Sequence, residues 1–122
     1  MQKPNPLKLN LSKFTGQVKN LPITKFNKFD DILSDLANHA YDAYDYILEL
    51  PENIKELSKE KAVCMINDLT ALQCQVAPLM NVLCDMDYRS KYMDRVKEEL
   101  GTIEDEIPEL IKHLYKKIKN EG

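Results

Sequence analysis

Between Ala62 and Cys84 the chain reads AVCMINDLTALQCQVAPLMNVLC and carries a single formal charge, Asp68. No other feature limits the possible folds as sharply. Met65, Leu69, Leu72, Val76, Leu79, Leu83 and Met86 step by three or four, the spacing of one apolar helix face. The opposite side holds Val63, Cys64, Asn67, Thr70, Ala71, Cys74, Ala77 and Asn81, all small or uncharged. A surface helix normally turns charges to water, so a helix with almost none is expected to be packed on most sides. Asn67, Asp68, Gln73, Gln75 and Asn81 interrupt it too often for a membrane span. The segment reads as the central helix of an all-α domain, covered by the rest of the chain and by a second copy or another subunit. Ala71, Cys74, Ala77 and Pro78 form the expected oligomer interface of a homodimer or heteromer, because small side chains let another backbone come close.

Two further stripes have helical spacing. Phe29, Leu33, Leu36, Ala40, Tyr44 and Ile47 predict a helix from about Asp30 to Leu50, with Pro51 either ending it or beginning the next short one. Tyr92, Val96, Leu100, Ile103, Ile107, Leu110, Leu114 and Ile118 predict another from Ser90 to Lys119, weakened or bent at Gly101 and Pro108. Residues 51–61 suit a short polar helical turn, with Ser58 as N-cap of the central helix and Asp87 or Ser90 as cap of the last one. Pro78 predicts a kink. Ahead of these, Pro4, Pro6 and Pro22 disfavour helix, and Leu7, Leu9 and Leu11 alternate with Lys8, Asn10 and Ser12 as in a strand. Thr15-Gly16 suits a turn. The expected fold is therefore a bundle of three long antiparallel helices with a short extra helical turn. An extended basic arm, residues 1–28, precedes the helical domain, residues 29–122.

Charge is distributed unevenly. Residues 1–28 hold six Lys and no acid, while the remainder is at −9, for a net charge of −3. The arm can lie over its own acidic body or a neighbouring subunit, dock on a partner, or contact nucleic acid; the body's charge disfavours duplex binding. Within the body, Asp31, Asp35, Asn38, Asp42, Asp45 and Glu49 step 4, 3, 4, 3, 4, with no Lys or Arg between Lys28 and Lys55. Five carboxylates thus share one helix face, where like charges one turn apart cost a few tenths of a kcal/mol each. The ridge reads as a solvated face, as a docking surface for a basic macromolecular partner, or as a metal site. Its carboxylates lie roughly 5–6 Å apart along the axis, a spacing comparable with phosphates on a DNA strand. Tyr41 and Tyr46 flank it as possible aromatic anchors.

For a metal, Asp35 and His39 are one turn apart with Asp42 beyond, and Glu109 and His113 repeat that spacing. Asp42-x-x-Asp45 and Glu106-x-x-Glu109 loosely resemble the paired acidic motifs of the all-α nucleotide pyrophosphatases. That resemblance implies a divalent-metal nucleotide hydrolase built on Asp35, His39, Asp42, Asp45, Glu106 and Glu109, although the central helix lacks the matching acids. Cys64, Cys74 and Cys84 recur every ten residues, too far apart along one helix to bridge each other. They read as buried, reduced, structural thiols of a cytoplasmic protein. No phosphate loop, dinucleotide fingerprint, zinc-finger spacing or helix-turn-helix signature is present. The leading expectation is a small non-catalytic interaction protein with no metal or cofactor. It would be an inhibitor or antitoxin-like regulator from a phage or other mobile element, meeting a basic surface through Asp31, Asp35, Tyr41, Asp42, Asp45, Tyr46 and Glu49.

Overall fold

The computed structural model describes Leu7, residues 11–20 and residues 26–121. Among these residues the chain forms four helices and no strand: α1 (Ser12–Asn20), α2 (Phe26–Asn53), α3 (Lys59–Asp85) and α4 (Lys91–Glu121). A single 3-10 turn, Ile54–Glu56, joins α2 to α3. The all-α expectation holds, but the helix number is four rather than three.

The additional helix lies in the stretch expected to be extended. Leu7, Leu11, Phe14 and Val18 step 4, 3, 4 and are all buried in the same core as the long helices. Nine residues are too few to hold a helix in water on local interactions alone, so α1 exists because its apolar face is packed. Its entry is fixed by α3: the Leu11 backbone N–H, just ahead of the first turn, donates to Gln75 Oε1 at 2.6 Å. Thr15 and Gly16, expected to turn the chain, sit inside this helix. Leu9, which made the strand alternation, lies outside the described residues.

The centre of the fold is α4, not the uncharged helix. α4 packs along both α2 and α3, while α2 and α3 hardly approach one another; α1 bridges them. Contacts at both ends show that α2 and α4 run in the same direction. Tyr88, just before α4, donates to Asp30 Oδ1 at 2.7 Å, and Lys117, near the end of α4, donates to the Lys55 carbonyl at 3.0 Å. The buried stripe of α4 is Met93, Val96, Leu100, Ile103, Ile107, Leu110 and Leu114. α2 contributes Phe29, Leu33, Leu36, Ile47 and Leu50 together with Ala37, Ala40 and Ala43, whose short side chains allow a neighbouring backbone to come near.

The helix ends follow local chemistry. Ser58 caps α3, accepting from Lys61 N at 3.2 Å, and the Ser90 hydroxyl accepts from Met93 N at 3.1 Å at the start of α4. Pro51, Pro78 and Pro108 lie inside α2, α3 and α4, each on an exposed side. The carbonyl that each proline leaves without an amide donor is then close to water, which lowers the cost. α2 therefore runs past Pro51 to Asn53, so Pro51 neither ends this helix nor begins the next.

Gly101 sits in the interior of α4, and a Cβ built there meets nothing within 4 Å. Gly101→Ala is expected to stabilise the protein by about 0.5–1 kcal/mol, since alanine restricts the unfolded chain and suits a helix interior. Urea unfolding followed by circular dichroism checks this. An unchanged midpoint would mean that α4 is locally distorted at this position.

Candidate interaction surface

The carboxylates of α2 are arranged as their spacing requires. Asp31, Asp35, Asp42, Asp45 and Glu49 are all exposed, along about 27 Å of helix at 1.5 Å per residue. One of them has a titratable neighbour: His39 Nε2 lies 3.7 Å from Asp35 Oδ1, with both side chains substantially exposed. Among the described residues no Lys or Arg forms an ion pair with this row, whereas Arg95 on α4 pairs with Glu99.

Its two edges differ. On one edge Tyr41, 46% exposed, stacks on Tyr44 with ring centroids 6.4 Å apart, and the Arg95 guanidinium from α4 lies 5.8 Å from the Tyr41 ring. On the other edge the His39 ring meets Phe14 of α1 at 5.6 Å. Tyr46 also lies toward that side, but it is only partly exposed and packs on the core. It lines an open groove of about 400 Å³ with Leu7, Leu57 and Met65. Burial, and then the Asp68 carboxylate, push the Tyr46 phenol above the usual tyrosine range. Tyr41 is thus the aromatic side chain displayed beside the ridge, whereas Tyr46 is partly committed to the α2–α3 groove. A third tyrosine, Tyr88, is held protonated mainly by its hydrogen bond to Asp30, with burial adding to the effect. That contact removes Asp30 from the free acidic surface.

The residues expected at an oligomer interface, Ala71, Cys74, Ala77 and Pro78, all lie on the exposed side of α3. Cys64, Cys74 and Cys84 are exposed free thiols, which corrects the expectation that they are buried. The reason is geometric. α3 buries Ala62, Ile66, Leu69, Leu72, Val76, Leu79 and Leu83, and among the described residues no other helix covers its back. Low charge was read as coverage by the rest of the chain together with another subunit; the described residues of the chain itself leave this face open.

The acids and histidines proposed for metal chemistry do not gather. Among the described residues no three His, Cys, Asp or Glu side chains form a group that could hold a metal ion. Asp35, His39, Asp42 and Asp45 are strung along α2, and Glu106 and Glu109 lie on α4. His113 instead lines a cleft of about 480 Å³ with Lys55, Lys116, Lys117, Pro51 and Ile54. Sequence reading missed this cleft because its two walls are some sixty residues apart. The carboxyl ends of α2 and α4 both reach it, so their dipoles offset its lysines, and Lys117 is engaged with the Lys55 carbonyl.

Among the described residues no helix is long and apolar enough to cross a membrane. Compared with protein-family models, with curated proteins and with solved structures, the chain matches none.

Proposed function

We propose that this protein is a small non-catalytic interaction module that sets the acidic ridge of α2 against a basic surface of a macromolecular partner. An inhibitory or regulatory role, of the antitoxin or anti-defence kind, follows most simply from occupying a surface that would otherwise grip an anion. The observation that carries the reading is the row of five exposed carboxylates on α2, for which no described Lys or Arg supplies an ion pair. Such a row is mildly self-repelling, and a cationic partner relieves that repulsion. Tyr41 at its edge adds a large, rigid contact with Arg95 beside it.

The test is Asp42→Asn with Asp45→Asn, which keeps side-chain shape and removes two charges. In the free protein the pair should be neutral or stabilising by a few tenths of a kcal/mol, read as an unchanged or slightly higher urea midpoint. Wild type and variant are then compared in capture from the source cell at low and at high salt, and in association kinetics with the purified partner. The variant should associate several-fold to about tenfold more slowly, with a flatter salt dependence, because steering follows summed charge. Equal capture and equal association rates at low salt would reduce the ridge to a solvated face.

A further inference from the structure

We propose that the cleft between the end of α2 and the last turns of α4 binds a small phosphomonoester, with its phosphate between Lys55 and Lys116 and its organic body on Pro51 and Ile54. The cleft holds about 480 Å³, a volume typical of small-molecule sites. Its walls are 62 residues apart at Lys55 and Lys117, and a bond between these two residues joins them: Lys117 Nζ donates to the Lys55 carbonyl at 3.0 Å.

Charge decides what enters. Among the described residues the lining holds Lys55, Lys116 and Lys117, with His113 and Asn120 beside them, and no acid. Neither the Lys55 nor the Lys116 ammonium has an ion-pair partner among the described residues. Lysines near a helix end ordinarily answer the dipole, and each carboxyl end here carries about half a negative charge. The two ends together come to about one negative charge. The Lys55 and Lys116 ammonium groups exceed that before Lys117 is counted. Lys55, moreover, stands in the 3-10 turn beyond α2, whose own last turn has no basic residue. Glu52, Glu56 and Glu109 are exposed to water and do not line the cleft. A concave surface of one sign, walled by protein rather than water, concentrates ions of the other sign.

The lining also selects the kind of anion. A phosphomonoester carries about 1.5–2 negative charges near pH 7, which matches two ammonium groups, whereas a carboxylate brings one. Lysine meets phosphate as a point charge and needs no fixed fork. The His113 ring and the Asn120 amide can donate to the remaining oxygens. Inorganic phosphate would leave the other side of the cleft bare, because the Pro51 and Ile54 side chains offer no polar atom. An aryl or alkyl body lying on them takes apolar surface out of water.

The probes are phenyl phosphate, inorganic phosphate and benzoate, each titrated into the full ¹⁵N-labelled chain at low salt and followed by amide chemical shifts. Phenyl phosphate should shift the amides of residues 54–55 and 113–120 saturably. It should bind at least about tenfold tighter than inorganic phosphate, which lacks the body, and than benzoate, which lacks the second charge. Lys55→Gln with Lys116→Gln should weaken phenyl phosphate at least about tenfold with an unchanged circular dichroism spectrum, since hydrogen bonds to charged groups are the stronger kind. Lys19→Gln with Lys28→Gln removes the same charge from exposed positions on α1 and α2 and should leave affinity within about twofold. The proposal is overturned if phenyl phosphate shifts no cleft amide, or if shifts follow lysines over the whole surface without saturating. Benzoate or inorganic phosphate binding as tightly as phenyl phosphate also overturns it, as does equal weakening by the two lysine pairs. None of these readouts depends on the acidic ridge of α2.

Discussion

Replacing Phe14 by alanine should destabilise the protein by about 3–5 kcal/mol, the range for removing a buried aromatic ring from a core that cannot collapse around it. The ring is 1% exposed and lies between the two helices that α1 bridges. His39 of α2 meets it at 5.6 Å, and the Lys13 ammonium lies 4.8 Å from its centroid. The core has no spare side chain to fill the hole, because the neighbours on α1 along the same stripe, Leu11 and Val18, are already buried. At roughly 3–6 °C per kcal/mol for a domain of this size, the midpoint of thermal unfolding should fall by more than 10 °C. Urea titration should show a lower midpoint with an unchanged slope, as for a loss of stability rather than a change of denatured state. A loss below about 0.5 kcal/mol would mean that the amino-terminal segment is an independent arm, as its prolines and lysines had suggested.

Arg95→Ala should cost about 2–3 kcal/mol, an unusually large effect for a side chain that is 47% exposed. Glu99 is the one buried polar or charged residue among those described, at 8% exposure. Its Oε1 is held by Arg95 Nε at 3.1 Å, and its other oxygen has no protein hydrogen bond. Removing the arginine strands a buried carboxylate, which in a fully buried pair costs about 3–5 kcal/mol; solvent at Arg95 reduces that figure. The arginine also lies over Tyr41, so its stem and plane contribute contact as well as charge. Arg95→Met combined with Glu99→Leu should recover most of the loss, since an apolar pair of similar size needs no compensation. Denaturation of the two single variants and the double gives the coupling energy directly. If Arg95→Ala is neutral, the Glu99 carboxylate is stabilised by another group.

The long helices and most of their buried faces were legible because each repeats its apolar residues without a break over about five turns or more. Phe29 to Ile47, Leu69 to Leu83 and Val96 to Leu114 are buried as their periodicity predicts, except Tyr44, which is only partly buried. The serine caps were legible for the same reason, since a hydroxyl ahead of a helix has one local use. α1 was not. Leu7, Leu9 and Leu11 fit a two-residue repeat as well as Leu7, Leu11, Phe14 and Val18 fit a helical one, and only tertiary burial decides between them. The place of α3 was misread because low charge is compatible with both burial and an open uncharged face. Periodicity shows which side of a helix is apolar, but not how many neighbours it has. The acidic row on α2 was readable residue by residue, whereas the different settings of Tyr41 and Tyr46 depend on Arg95 and on the α2–α3 groove, neither of which is nearby in sequence.

The same-direction packing of α2 and α4 sets the order in which the chain can assemble. α3 and α4 are joined by five residues and pack along their lengths, so their pairing closes a short loop. α2 has no comparable hairpin with α3 and must find α4, across separations of 58 and 62 residues at its two ends. Closing a loop grows costlier with its length, and contacts distant in sequence slow folding. The α3–α4 hairpin is therefore the natural nucleus, with α2 docking on it and α1 arriving last to close the remaining gap. During synthesis the first helices to emerge must wait for the last, and until α4 is complete the apolar faces of α1, α2 and α3 lack the surface that gathers them.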